Sequence, residues 1–257
     1  MVSREAGLII ERNKAVTWVR LNRPDRLNAL SAQLQRRIVE TFVELDQDEK
    51  TAVVVLGTTS SRAFSAGADL KEPTQRRWAE PMRLPQRNVY EAIYECRKPT
   101  IAALQGWVVG GGMELAMACD MRIAAENSRF RMPEARVGLA ANFGSQMLPR
   151  LVPWAHAFDI LYRGETFDAN RAERIGLVSD VLPVDQLDPS VQAVAEEIAA
   201  RAPLSLRRFK AMVQQGSTLP VATAVRLDPG PSPYLSQDRD EGAAAFAERR
   251  APVWTGH

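Results

Sequence analysis

The stretch TIAALQGWVVGGGMELAMACD, residues 100–120, joins an apolar run, three consecutive glycines and a segment of helical character. Residues 100–109 have the composition of a buried strand, and residues 113–120 are predicted to form a helix. Glycine at the end of a strand lets the backbone approach another group closely. One acid, Glu114, follows the glycines inside an otherwise apolar segment. The stretch therefore predicts a strand, a tight turn and a helix, with a carboxylate close to the turn.

Strands and helices alternate on both sides of this stretch, as far as about residue 185. The predicted strands are residues 8–11, 15–21, 51–56, 100–109, 121–125 and 177–182, the first two forming a hairpin with Asn13 at its turn. The predicted helices are residues 32–46 with Ser31 as N-cap, 85–96, 113–120, 142–151, 154–161 and one after Asp168. Short links between strands and helices favour parallel strands and an α/β fold.

Beyond about residue 185 the strands stop, and only helices are predicted. These are residues 190–202, 204–215 and 238–249, and a proline-rich connection separates the last two. We therefore expect residues 1–195 to form the core with the active site. Residues 196–257 are expected to form a helical C-terminal domain.

The composition is that of a globular protein with a sizeable core. Of the 257 residues, 46% are hydrophobic and 25% are charged. The 33 basic and 31 acidic residues are interspersed and give a formal net charge of +2, so we expect no nucleic-acid partner. No apolar run suits a membrane span, and the first residues carry charges where a signal peptide is apolar. We expect a cytoplasmic protein without a membrane partner, with Cys96 and Cys119 as reduced thiols.

Two glycine-containing loops each follow a predicted buried strand. FSAGADL comes after residues 51–56, and GGGMEL comes after residues 100–109. In α/β proteins ligands bind beyond the carboxyl ends of strands, where helices begin with free N–H groups. Two converging loops can hold one oxygen between two N–H groups, which stabilises an enolate or oxyanion. For a lone GGG a simple tight turn is the favoured alternative. A nucleotide loop is not indicated, because GxGxxG and GxxxxGK[ST] are both absent.

Two glutamates stand near these loops in the sequence. Glu114 lies among apolar residues, and Glu134 follows Pro133 in the next motif, FRMPEARVGL. Two carboxylates beside one oxygen-binding site suit general acid and base work on water, and desolvation raises their pKa values. From spacing alone, the favoured interpretation is structural. It puts Glu114 on the surface of an amphipathic helix and makes Glu134 an acid at a helix N-terminus.

Four segments together resemble the crotonase (enoyl-CoA hydratase/isomerase) family. They are RPDRLNAL (residues 23–30), AFSAGADLKE (63–72), KPTIAALQGWVVGGGMELAMACDMRIAAENSRFRMPEARVGL (98–139) and DRDEGAAAFAERRAPVW (238–254). The resemblance covers nearly the whole chain in the right order. It implies an α/β fold, a crotonase-like spiral of ββα units with a helical C-terminal domain. It also implies a homotrimer or a dimer of trimers, with no metal and no cofactor apart from the coenzyme A of the substrate.

The resemblance further implies an acyl-CoA thioester substrate and an enolate held by two backbone N–H groups. Those donors correspond to Ala68 and Gly111. Glu114 and Glu134 correspond to the two acids of the hydratases, which add water across a 2-trans-enoyl-CoA. Glu134 is then the proton donor to the α-carbon, and Glu114 is the base that orients water. Another reaction of the family, such as double-bond isomerisation or thioester hydrolysis, and a non-catalytic CoA-binding subunit are the alternatives.

Positions that line the CoA and the acyl group follow from the same resemblance. They are Arg26, Leu27, Ala66, Asp69, Leu70, Lys71, Phe143, Phe246 and Arg249. The last two lie in the final helix, which often contacts the CoA of a neighbouring subunit; without the resemblance, an ordinary amphipathic helix is the favoured interpretation.

The chain departs from the family where Ala141-Asn142-Phe143 replaces the usual Pro-Gly. Phe143 then either forms a wall of the acyl pocket or points into the core. Residues 72–88 correspond to a variable lid.

Overall fold

The computed structural model describes residues 2–69 and 87–257. Its strands are β1 (Val2–Glu5), β2 (Leu8–Asn13), β3 (Val16–Leu21), β4 (Val53–Thr58), β5 (Ala63–Ser65), β6 (Thr100–Leu104), β7 (Trp107–Val109), β8 (Met121–Ala125), β9 (Arg129–Arg131), β10 (Phe167–Asp168) and β11 (Asp180–Leu182). Its helices are α1 (Ala32–Gln47), α2 (Val89–Tyr94), α3 (Gly111–Ala118), α4 (Asn142–Leu151), α5 (Trp154–Arg163), α6 (Ala169–Arg174), α7 (Leu187–Ala199), α8 (Pro203–Gly216), α9 (Val221–Ala224) and α10 (Gln237–Glu248).

A seven-stranded sheet in the order β1-β2-β3-β4-β6-β8-β11 forms the centre of the fold. The first three strands are antiparallel, and β3, β4, β6, β8 and β11 are parallel neighbours. Every residue of β4 and β6 is buried, as expected of continuously apolar strands covered on both faces. The predicted hairpin is confirmed. Its turn is one residue later than expected, because Asn13 pairs with Val16 and Lys14 takes the positive φ.

A second, four-stranded sheet has the order β10-β9-β7-β5. The prediction of one strand over residues 100–109 was wrong, because the chain leaves the first sheet after β6 and enters the second with β7. Gly106 makes the change of direction at φ +64°, where a Cβ would lie 2.3 Å from the Arg62 carbonyl oxygen. The same step from sheet to sheet occurs between β4 and β5 and between β8 and β9. A helix follows each pair, which agrees with the expected ββα units.

Helices cover both faces of the large sheet. The apolar side of α1 is buried through Leu34, Ile38 and Phe42, and Ser31 caps this helix as predicted. On the opposite face α7 packs against β3, β4, β6 and β8. Residue 195, where we expect the domains to divide, lies inside α7, and the division stays a prediction. The helices from α8 onward make the C-terminal part of the chain helical, as expected.

The described ranges, 2–69 and 87–257, bear on the expectations about a membrane span, a metal site and the two cysteines. No helix there is long and apolar enough to cross a membrane. No group of three acidic, histidine or cysteine side chains there is placed to hold a metal ion. Cys96 and Cys119 are buried free thiols, as predicted.

Candidate functional site

The loop after β5 is held in place by a buried asparagine that the sequence analysis did not single out. Asn28 donates through Nδ2 to Thr58 Oγ1 at 2.7 Å and to the Ala63 carbonyl oxygen at 2.9 Å. Its own carbonyl oxygen accepts from Ser65 Oγ at 2.8 Å, and Ser65 Oγ accepts from Gly67 N at 3.2 Å. Because these polar groups are buried and paired, the loop is fixed relative to both sheets.

Residues from the first and second family motifs lie side by side. Ala66 N donates to the Leu27 carbonyl oxygen at 2.9 Å, and Leu30 forms a bridge with Ala68. Asp69 is in an ion pair with Arg23, with 3.1 Å between Nη2 and Oδ2. The structure thus brings together Leu27, Ala66, Ala68 and Asp69.

Three further residues expected near CoA are either exposed or outside the described residues. Arg26 is exposed in the short 3-10 helix Pro24–Arg26, at the edge of this loop. Leu70 and Lys71 fall outside the described residues, as do most of residues 72–88, which we expected to form a lid.

The two glycine loops are in contact. Gly67 has φ +83°, and a Cβ on it would lie 2.8 Å from the Val109 carbonyl oxygen and 3.2 Å from Gly111 N. Gly111 is the first residue of α3, so its N–H has no partner within the helix. Among the described residues, neither the Gly111 N–H nor the Ala68 N–H donates a hydrogen bond. Two unpaired backbone donors therefore stand at neighbouring loops.

Glu114 is buried, which makes the interpretation of a surface residue wrong. All eight residues of α3 are buried, because this helix runs through the core instead of along the surface. The Glu114 carboxylate accepts a 2.7 Å hydrogen bond from Gly144 N, and it is also hydrogen-bonded by the Phe143 N–H and the Tyr90 hydroxyl. Burial raises the pKa of Glu114, and these three donors oppose the rise.

Glu134 has a different environment. It opens the short 3-10 helix Glu134–Val137, and its Oε1 is 2.6 Å from the point a Cβ of Gly110 would occupy. Its buried Oε2 has no hydrogen-bond partner within the described part of the chain. Burial, with a smaller contribution from the charge of Glu114, raises the pKa of Glu134 to about 7. Glu134 thus lacks the three donors that favour the charged form of Glu114, and this is the contrast expected of an acid and a base.

An aromatic group borders the two acids. Phe143 stacks on Tyr90 with 5.4 Å between ring centroids and meets Tyr94 edge-on at 6.3 Å. Phe143 is half-buried and packs against the core, so it both joins the core and borders the site. The sequence pointed to Phe143 through its departure from the family motif. Tyr90 was missed, because it lies in a helix with no motif of its own.

Phe246 and Arg249 are at the far end of the C-terminal part. Phe246 is 88% exposed, and Arg249 ends α10 with φ +57°. Their expected place at the CoA of a neighbouring subunit stays a prediction.

The fold and the paired acids define a family, and comparison with known proteins agrees. The chain belongs to the enoyl-CoA hydratase/isomerase family, whose model matches residues 11–257. It is 37% identical over 251 residues to a probable enoyl-CoA hydratase of Mycobacterium bovis, covering 96% of this chain and 97% of that protein. It is 36% identical over 258 residues to the (E)-benzylidenesuccinyl-CoA hydratase of Thauera aromatica, covering 96% and 98%. The crystal structure of an enoyl-CoA hydratase from Bacillus anthracis superimposes with a TM-score of 0.91 at 30% identity, covering 98% of this chain and all of that one. The predicted family and fold class are confirmed.

Proposed function

We propose that this protein is an enoyl-CoA hydratase that adds water syn to a 2-trans-enoyl-CoA and gives a 3-hydroxyacyl-CoA. The observation that carries the proposal is the contrast between two neighbouring carboxylates. Glu114 is surrounded by hydrogen-bond donors, whereas Glu134 has an unpartnered buried oxygen and a pKa of about 7. Glu114 is thereby suited to accept a proton, and Glu134 is suited to give one. The hydratase names of the relatives support the same reaction.

The Ala68 and Gly111 N–H groups hold the thioester carbonyl oxygen in this proposal. Their unpaired state and the contact between their loops support it. Hydrogen bonds from fixed donors are stronger to the enolate oxygen than to the neutral carbonyl, so they lower the barrier to its formation. The N-terminus of α3 adds its positive dipole end at the same place.

The proton transfers follow from the two acids. Ionised Glu114 accepts a proton from water as the water oxygen bonds to C3, and the electrons of the double bond move towards the thioester to form the enolate. Protonated Glu134 then gives its proton to C2, the carbonyl is restored, and water has been added across the double bond. Hydrogen bonds to a carboxylate favour its charged form, which suits Glu114 as the base.

Several further parts of the proposal concern binding and assembly. Leu27, Ala66 and Asp69 support a CoA site because they share one loop cluster beside Ala68. Arg26, Leu70, Lys71 and, from a neighbouring subunit, Phe246 and Arg249 complete it in our proposal. The reaction needs only the CoA ester and water. The homotrimer or dimer of trimers and the cytoplasmic location remain predictions.

Hydration of crotonyl-CoA tests the function directly. Loss of the enoyl-thioester absorbance is followed for the wild type and for Glu134→Gln, which keeps the shape of the side chain and removes its acid. We expect Glu134→Gln to lower kcat by a factor on the order of 100 to 10,000, the usual contribution of a general acid, with CoA-ester binding retained.

Glu126→Gln is the matched control, because Glu126 is exposed after β8 and the substitution changes charge in the same way. It is expected to keep the wild-type rate. A wild type that hydrates neither crotonyl-CoA nor longer enoyl-CoA esters contradicts the function and leaves isomerisation, thioester hydrolysis or simple CoA binding. A fully active Glu134→Gln contradicts the role of Glu134.

A further inference from the structure

The three helices that surround the Glu114 carboxylate also extend beyond it. Tyr90 of α2, Glu114 of α3 and Gly144 of α4 meet around the Glu114 carboxylate. One helical turn further along each helix, about 5.4 Å along its axis, stand Tyr94, Met117 and Met147.

These three residues line a cleft of about 650 Å³. Its other walls are largely apolar and include Leu151, Leu206 and Val213. The cleft therefore begins one helical turn beyond the acid site, on the same three helices, and its largely apolar lining suits hydrocarbon.

Phe143 lies between the acid site and the cleft. Its ring stacks on Tyr90, which hydrogen-bonds Glu114, and it meets the edge of Tyr94, which lines the cleft. Its backbone N–H is hydrogen-bonded to Glu114, and its ring is held by packing against the two tyrosine rings. A crotonyl group has one carbon beyond C3, whereas a longer acyl chain continues past this point.

We propose that Phe143 determines acyl-chain length by closing the passage from the two glutamates to this cleft, so that the substrates are short-chain 2-enoyl-CoA esters. The inference rests on the proposed hydratase function and deepens it. Longer chains fit only if the aromatic packing is broken, which costs what overpacking of a core costs. The preference for short chains is the opposite of the usual trend, in which each further buried methylene of a ligand strengthens binding by about fourfold.

The test compares crotonyl-CoA with trans-2-decenoyl-CoA. For the wild type we expect kcat/KM to be lower for decenoyl-CoA by a factor on the order of 10 to 100. Phe143→Ala is expected to raise the ratio of kcat/KM for decenoyl-CoA to kcat/KM for crotonyl-CoA at least tenfold. Phe143→Leu, which keeps more of the packing, is expected to give a smaller gain and covers the case in which the alanine variant folds poorly.

A second substitution shows whether the gain uses the cleft. Met147→Trp, added to Phe143→Ala, fills the cleft from α4 and is expected to abolish the gain for decenoyl-CoA while crotonyl-CoA turnover stays that of Phe143→Ala. A gain that survives Met147→Trp, or a wild type that prefers decenoyl-CoA, overturns the inference.

Binding of saturated CoA esters tests the role of Phe143 independently of the proposed hydratase activity. Calorimetry with butanoyl-CoA and decanoyl-CoA needs no turnover. We expect the wild type to bind decanoyl-CoA no more tightly than butanoyl-CoA, and Phe143→Ala to bind it at least tenfold more tightly. Absence of hydration with this binding pattern present contradicts the function alone. The reverse result, hydration without a change in binding or chain-length preference, contradicts the role of Phe143.

Discussion

Tyr90 connects the helix that carries Glu114 with the proposed oxyanion donors. Its hydroxyl hydrogen-bonds the Glu114 carboxylate, and a Cβ on Gly111 would lie 2.6 Å from the hydroxyl oxygen. Burial and the charges of Glu114 and Glu134 hold the pKa of Tyr90 well above its usual value, so the hydroxyl stays protonated and acts as a donor. We therefore regard Tyr90 as a positioning residue that keeps Glu114 ionised and in place.

Removing that hydroxyl is expected to change the pH profile. For the wild type we expect kcat/KM to fall as pH rises through about 7, because Glu134 loses its proton, and to fall at low pH as Glu114 gains one. Tyr90→Phe removes a donor that favours the ionised form, so we expect the pKa of Glu114 to rise and the acid limb to move to higher pH. We expect kcat to drop by a factor on the order of 10, the value of a hydrogen bond to a charged group. The measurement is kcat/KM against pH.

Tyr94→Phe is the control on the same helix. Tyr94 lies one turn beyond Tyr90 and contacts Phe143. Its change to phenylalanine removes a hydroxyl group, as Tyr90→Phe does. Its variant is expected to leave the acid limb at the wild-type pH. If the two variants shift the limb equally, or neither shifts it, the hydroxyl of Tyr90 has no specific effect on Glu114.

At the scale of the elements, the site depends on how closely the loops after β5 and β7 approach each other. Gly67 takes φ +83° and leaves only 2.8 Å between its Cβ position and the Val109 carbonyl oxygen. Gly67→Ala therefore has to push the two loops apart and misplace the Ala68 and Gly111 donors. Losing one such donor costs a factor of about 100 to 1,000 in kcat, and we expect kcat to fall by at least that lower figure.

Gly230→Ala is the control, because it has the backbone strain of Gly67→Ala without the steric clash. Gly230 has φ +71°, but nothing lies within 4 Å of its Cβ position. Both variants are expected to lose about 1–2 kcal/mol of stability from the left-handed conformation, read as a lower melting temperature. Only Gly67→Ala is expected to lose activity at a temperature at which both are folded. Equal activities of the two variants would show that the approach of the loops is not needed.

Long, patterned elements were predictable, and short ones were not. The helix over residues 142–151 has the predicted bounds, and the α1 cap at Ser31 is confirmed. Strands β5, β7 and β9 have three residues each, too few to show an alternating pattern. The break between β6 and β7 falls at Gln105 and Gly106, and it was missed because apolar residues stand on both sides of them.

The candidate site was predictable to the extent that its groups stand in motifs. The loops of Ala68 and Gly111 were expected to meet from their positions after buried strands, and the structure brings them into contact. The burial of Glu114 was not predicted from spacing, since burial depends on α4 covering α3. Tyr90 and Asn28 could not be identified, because their roles come from contacts with residues distant in the sequence.

At the scale of the whole molecule, the C-terminal helices expose many large apolar side chains. The most exposed in this part of the chain are Leu235 (91%), Phe246 (88%), Val221 (77%), Tyr234 (75%) and Val253 (71%). Single exposed apolar residues are common, but a group of this kind in one part of a chain marks an interaction surface. We therefore predict that this part forms the subunit contacts of a homotrimer or a dimer of trimers.

The oligomeric state and one surface variant test that prediction. Sedimentation or light scattering is expected to give three or six times the chain mass of 28.5 kDa. Leu235→Asp places a charge where an interface would bury it, so we expect it to shift the protein towards monomer at micromolar concentration. Val43→Asp on α1, at a residue 45% exposed, is the control and is expected to leave the mass unchanged. A monomeric wild type contradicts the assembly, and it also removes the neighbouring subunit that would bring Phe246 and Arg249 to the CoA.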